Sequence, residues 1–197
     1  MGGEPPFVLV VAGPNGSGKT TLTEQLRADG VDLGRYINPD EIAKELHGEY
    51  DDRVGRAQAI AASQRDECLA SGLSFTFETV MSHPSKIEVM RKAKSLGFRT
   101  ALYFVATESP DLNVARVNQR VALGGHDVPE HLIRARYART LALLPEALQQ
   151  SDLAVLFDNS YGEPITLRPF FRKSGQRVTV EPPMPRWARR VLERWLP

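Results

Sequence analysis

Two adjoining stretches near the start of the chain, FVLVVA (Phe7–Ala12) and GPNGSGKTT (Gly13–Thr21), narrow the available folds more than any other part of the sequence. The first is an unbroken, β-branched apolar run, which predicts a strand buried on both faces. The second fits G-x-x-x-x-G-K-[ST] and leads into a helix predicted over Lys19–Ala28. Glycines there let backbone N–H groups converge on one anion, and a helix N-terminus adds positive potential. Gly13, Pro14, Asn15, Gly16, Ser17, Gly18, Lys19, Thr20 and Thr21 are therefore read as a nucleotide-phosphate cradle. Lys19 would reach the β- and γ-phosphates, and the Thr20 hydroxyl would ligate Mg²⁺. Such a loop does not say whether the phosphate drives a movement, reports a state or is transferred.

The rest of the chain alternates strand and helix signals. Strands are predicted at Arg35–Ile37, Leu73–Glu78, Arg99–Ala106 and Leu153–Ser160. Helices are predicted from Pro39 to near Gly48, and over Asp51–Ser71, Pro84–Ser95, Pro110–Leu123 and Glu130–Gln150. This order predicts a three-layer α/β/α fold around a mostly parallel sheet, spanning residues 1–160. Residues 161–197 differ. They read as a hairpin turning at Ser174-Gly175, placed at an edge because of Pro169, and then a helix with Trp187, Val191 and Trp195 on one stripe. That stripe is expected to dock on the same domain, leaving Arg186, Arg189, Arg190 and Arg194 on the other faces.

Composition removes several classes. Lys and Arg total 25 against 24 Asp and Glu, which gives no support for bulk nucleic-acid binding. No apolar run approaches the roughly 18 residues of a membrane span. The N-terminal run lacks the form of a signal peptide, and Pro6 stands where a myristoylation site needs Ser or Thr. Cys68 is the single cysteine, so a reducing, cytoplasmic setting is expected. Neither an N-K-x-D motif nor an L-S-G-G-Q-type signature follows the loop, which argues against a GTPase and a transporter-type ATPase. Asp158, after LAVLF, is the nearest approach to a hydrolytic acid, and is read as capping or lining the nucleotide end.

In an open parallel sheet, ligands lie at the carboxyl ends of the strands. Asp40, after YIN, and Glu78, followed by Thr79, occupy such ends. Alone, Asp40 reads equally as a helix-N-terminal acid and Glu78 as a strand-end surface acid. Together with the loop they outline an acceptor pocket in which a carboxylate takes a proton from a hydroxyl. The segment RVNQRVALGGHDVPEHLIRARYART (Arg116–Thr140) sets arginines on two helices around a Gly-Gly break, as a closing lid would. Arg116, Arg120, Arg136 and Arg139 are its candidates, with a solvated basic face as the alternative. His126, with no second His or Cys at metal spacing, is read as ordering the loop.

GPNGSGKTT, INPDEIA, FETV, GGHDVPEHLIRARYART and LFDNS together resemble the zeta-toxin family of phosphate-loop kinases, particularly its chromosomal branch, from about Phe7 to Ser160. The resemblance implies a kinase that uses ATP or GTP with Mg²⁺ to phosphorylate a hydroxyl of UDP-N-acetylglucosamine or a similar nucleotide sugar. It implies Asp40 as the base, Glu78 and Thr79 holding the acceptor, Lys19 on the nucleotide, and Arg120 and Arg136 as the lid arginines on the γ-phosphate. It also brings in an antitoxin protein as a candidate partner. The rival reading is a nucleotide-gated binding module acting through a protein partner.

Overall fold

The computed structural model describes residues 4–125, 127–161 and 167–195. In chain order the elements are β1 (Phe7–Ala12), α1 (Lys19–Ala28), β2 (Arg35–Ile37), α2 (Pro39–Glu45), α3 (Tyr50–Ser71), β3 (Phe75–Thr79) and α4 (Ser85–Ser95). Then come β4 (Arg99–Ala106), α5 (Pro110–Ala122), α6 (Glu130–Gln150), β5 (Leu153–Asp158), β6 (Arg168–Ser174), β7 (Arg177–Val180) and α7 (Arg186–Val191). The strands form one seven-stranded sheet ordered β2-β3-β1-β4-β5-β6-β7, in which β1 to β5 run parallel and β6 and β7 antiparallel.

β1 explains why the sheet is covered on both sides. Val8, Val10 and Ala12 face a large core with Phe75, Phe77, Phe104, Ile87, Met90 and Leu144, while Leu9 and Val11 face a second core with Leu22, Leu26 and Val105. The predicted two-sided burial is therefore met residue by residue. Asn38 starts α2 by accepting the Asp40 N–H on its side-chain oxygen at 2.9 Å, with Pro39 in the first turn. Gly72 closes α3 in the left-handed conformation, donating to the Cys68 carbonyl.

The predicted hairpin exists, but only β7 is an edge. β6 pairs with β5 on its other side, and Pro169 is accommodated there because the register shifts between Leu156 and Phe157. α7 docks its stripe on the same domain: Trp187, Ala188 and Leu192 are buried, and Val191 and Trp195 pack at the margin of the core. The Trp187 ring lies 5.4 Å from that of Phe170 and 6.0 Å from that of Phe104, and its indole N–H donates to Asp158 Oδ1 at 3.1 Å. Truncating Trp187 to Ala should cost about 3–5 kcal/mol of stability. Trp187→Phe, which keeps most of the packing and deletes the donor, should cost about 1–3 kcal/mol; urea unfolding of both variants checks this.

Candidate functional site

Each of the five parallel strands ends in a polar group at the same edge of the sheet. These are the phosphate loop after β1, Asn38 and Asp40 after β2, Glu78 and Thr79 in β3, Thr107 after β4, and Asp158 and Asn159 at β5. The loop itself is wedged between two asparagines. Asn113 of α5, fully buried, donates to the Asn15 carbonyl and accepts from the Thr107 hydroxyl. Asn159 donates to the Ser17 carbonyl at 2.8 Å. Wedging is tight enough to demand glycine. A Cβ at Gly16 (φ +70°) would stand 2.7 Å from the Asn113 carbonyl oxygen, and one at Gly18 (φ +101°) 2.5 Å from Asn159 Nδ2.

The cradle fits a polyphosphate. The first amides of α1 have no intrahelical acceptor, as at any helix start. Asn15 Oδ1, Ser17 Oγ, Asn159 Oδ1 and Arg116 Nη1 are buried with no hydrogen-bond partner among the described residues. Lys19 Nζ donates to the Pro14 carbonyl at 2.9 Å. Burial holds the Lys19 ammonium below its ordinary pKa; the charges of Glu78 and Asp40 pull it back up, and that of Arg120 pushes it down. The charges of Glu78, Asp40 and Arg120 are thus all felt at Lys19.

Glu78 is buried, and its carboxylate is shared. Oε1 accepts from the Thr23 and Tyr36 hydroxyls, both at 2.6 Å, and Oε2 accepts from the Thr20 hydroxyl at 3.3 Å. The Asn38 side-chain amide donates to the Tyr36 hydroxyl at 3.0 Å, while its oxygen caps Asp40. One chain of hydrogen bonds therefore runs from Thr20 through Glu78, Tyr36 and Asn38 to the backbone of Asp40, whose own side chain is exposed. Burial, reinforced by the Glu78 charge, pushes the Tyr36 phenol well above its ordinary value. Tyr36 and Thr23 were not among the predicted site residues. Thr23 falls one turn after Thr20, and Tyr36 stands two residues before Asn38, but nothing in the pattern tells that both reach one carboxylate. Thr79 uses its hydroxyl locally, accepting the Met81 N–H at 2.9 Å.

α5 and α6 close over this edge with their own apolar seam of Val114, Val117, Val128 and Ile133. Tyr137 fastens α6 to the Thr107 carbonyl at 2.7 Å and Thr140 fastens it to the Val80 carbonyl at 2.8 Å. The predicted lid arginines separate. Arg116 is half-buried near Asp158, and burial lowers its pKa. Arg120, at the end of α5, is the one whose charge reaches Lys19. Arg136 is half-buried and Arg139 exposed, and neither forms an ion pair with a described carboxylate. Arg134 is engaged outside, with Asp111 at 2.6 Å and Glu130 at 2.8 Å. His126 lies outside the described residues. Asp158, read from sequence as lining the nucleotide end, is buried and accepts from Ser160 at 2.5 Å and from Trp187.

Comparison with known proteins agrees with the fold. The family model described as zeta toxin matches residues 2–155. An uncharacterised protein of Haemophilus influenzae is 31% identical over 133 residues, which are 66% of this chain and 91% of that one. Among solved structures, the AvrRxo1-ORF1:-ORF2 complex with ATP superposes with a TM-score of 0.68 at 16% identity, covering 89% of this chain, which spans only 60% of the length of that chain. The PezAT chromosomal toxin-antitoxin system of Streptococcus pneumoniae gives 0.59 at 14% identity, over 85% and 72% of the two chains. A putative kinase of Chloroflexus aurantiacus gives 0.55 at 23% identity, over 68% and 78%. These likenesses show a phosphate-loop kinase-like fold.

Gly16→Ala should weaken nucleotide binding by at least about tenfold, since it adds both backbone strain and a clash with the Asn113 carbonyl, while the fold survives. Titration calorimetry with ATP and Mg²⁺, alongside circular dichroism, checks this. Tyr36 is held protonated in the folded state, and Tyr137 is pushed up to about 12, whereas a free tyrosine ionises near pH 10.0. The unfolded chain releases these protons first, so stability should fall as pH rises past that value. Tyr36→Phe should reduce the slope, as read by urea unfolding across the alkaline range.

Proposed function

Since the chain belongs to the zeta toxin family, we propose that it is an ATP-dependent phosphotransferase that passes the γ-phosphoryl group to a hydroxyl of a small molecule. The leading acceptor is a nucleotide sugar such as UDP-N-acetylglucosamine, with GTP as an alternative donor. The observation that carries this reading is that the loop of Lys19 and the acid Asp40 follow the carboxyl ends of β1 and β2, which run parallel in one sheet, with the charges of Asp40 and Arg120 both felt at Lys19. A cation for the donor phosphates, an exposed carboxylate and a lid arginine are what transfer to an alcohol requires.

In this reading Asp40 takes the proton of the acceptor hydroxyl as the hydroxyl oxygen bonds to the γ-phosphorus, while the bond from that phosphorus to the β–γ bridging oxygen breaks and ADP leaves. The Asp40 backbone is fixed by the Asn38 cap while its side chain stays open to solvent and substrate. Arg120 comes onto the migrating group, and Arg136 and Arg139 join it from α6. Arg116, on which the charge of Asp158 acts, is a further lid candidate. Thr20 would hold Mg²⁺, which supplies charge neutralisation between the donor phosphates. Glu78, whose oxygens are taken by Thr20, Thr23 and Tyr36, is assigned to orienting that metal-side hydroxyl instead of gripping the acceptor. Thr79, its hydroxyl given to Met81, supports the loop beyond β3. Residues around His126 would ride with the lid. One of the similar structures is of an ORF1:-ORF2 pair and another comes from a toxin-antitoxin system, and a protein partner of the antitoxin kind is part of the same proposal.

Incubation with ATP, Mg²⁺ and a pool of nucleotide sugars should yield one product heavier by a single phosphate on mass spectrometry. Asp40→Asn should lower that rate by about 10²–10⁴-fold with ATP affinity retained. A variant with unchanged turnover would remove Asp40 from the role of base.

A further inference from the structure

Asp40 follows the least supported strand of the parallel sheet. β2 is three residues long and lies at the edge, paired with β3 on one side. Asn38 then sets the start of α2: its side-chain oxygen accepts the Asp40 N–H at 2.9 Å, and its carbonyl accepts the Glu41 and Ile42 N–H groups, both at 3.1 Å. Asn38 is buried, so its side-chain amide also needs an acceptor. The Tyr36 hydroxyl is that acceptor, at 3.0 Å. Tyr36 stands opposite Thr76 in the sheet, and its hydroxyl reaches diagonally to Glu78, two residues further along β3.

The direction of each bond in this bridge is fixed. An N–H can only donate, so Asn38 turns its oxygen to Asp40 and its amide to Tyr36. The phenol accepts from Asn38 and gives its own proton to Glu78 Oε1 at 2.6 Å; burial and the Glu78 charge keep that proton on Tyr36. Glu78 is itself anchored to α1, the helix that leaves the phosphate loop, through Thr23 at 2.6 Å and Thr20 at 3.3 Å. From the same helix, the Arg27 guanidinium carbon lies 4.1 Å from the centre of the Tyr36 ring. We propose that Tyr36 is a positioning residue for phosphoryl transfer: by tying the α2 cap to Glu78, its hydroxyl holds the Asp40 base at a set distance from the phosphate loop. This rests on the reading of Asp40 as base given above. Tyr36 acts through Asn38 and needs no contact with donor or acceptor. Without the hydroxyl, β2 and β3 still pair through their backbones, but the Asn38 amide loses its acceptor and the start of α2 is free to turn.

Tyr36→Phe keeps the ring and deletes the bridge. Hydrogen exchange at the Asp40, Glu41 and Ile42 amides, followed by NMR, should quicken by about tenfold or more, while that of Val10 in β1 stays as it was. In the transfer assay kcat should fall about 10- to 100-fold with KM for ATP unchanged, the cost of a misplaced reacting group. Asn38→Ser retains a capping oxygen and drops the amide, so it should give the same two changes. The double variant should be no slower than the slower single one, since both cut one bridge. Unaltered exchange in α2, or equal quickening at Val10, overturns the proposal, as does quickened α2 exchange with full kcat. Losses that multiply in the double variant overturn the path through Asn38. A wild-type protein that transfers phosphate to no acceptor, with α2 exchange quickened in Tyr36→Phe as expected, counts against the kinase reading and not against the hold of Tyr36 on α2.

Discussion

β1 meets water on neither side. It is zipped between β3 and β4, and its side chains alternate into two separate cores. A strand in that position can open only at its ends, and its carboxyl end opens into a loop whose amides must face outward. Everything else at the site is arranged around that fixed point. Flanking strands deliver acids and amides to the same edge, helix α1 carries its first-turn hydroxyls back towards Glu78, and α5 leans on the loop through Asn113. The rigidity of the cradle is thus a property of the sheet more than of the loop.

Charge is distributed unevenly within this frame. The chain is nearly neutral, with a formal net charge of +1. Its buried carboxylates are satisfied from within: Glu78 takes three hydroxyl donors, and Asp158 takes Ser160, Trp187 and the more distant Arg168. Its buried cations are satisfied in part: Lys19 donates to the Pro14 carbonyl and Lys173 to the Ser151 carbonyl, whereas Arg116 Nη1 and Arg65 Nε are buried with no hydrogen-bond partner among the described residues.

Much of this was legible in the sequence because it is written locally. The buried run Phe7–Ala12, the loop glycines, the Asn-Pro start of α2, and the Gly72 end of α3 each declare themselves within a few residues. The apolar stripe of α7 was also readable, as was the turn between β6 and β7. What escaped depends on contacts across long separations. Tyr36 and Thr23 meet through Glu78, far from both in the chain, and no periodicity records it. Pro169 suggested an edge because a proline lacks a donor; the shifted register opposite Phe157 is a tertiary accommodation that no local pattern could announce. The strand-end position of Glu78 pointed to the acceptor pocket, with a surface acid as the reading taken alone; its burial among three hydroxyls is a tertiary feature.

The indole of Trp187 has a reach beyond packing. It holds Asp158, whose neighbour Asn159 in turn grips the Ser17 carbonyl of the phosphate loop. The last helix is therefore connected to the first loop by two hydrogen bonds and one peptide step, although nearly the whole chain separates them in order. A change in α7 that withdraws the indole therefore takes a hydrogen bond from Asp158, the residue next to the one that grips the phosphate loop.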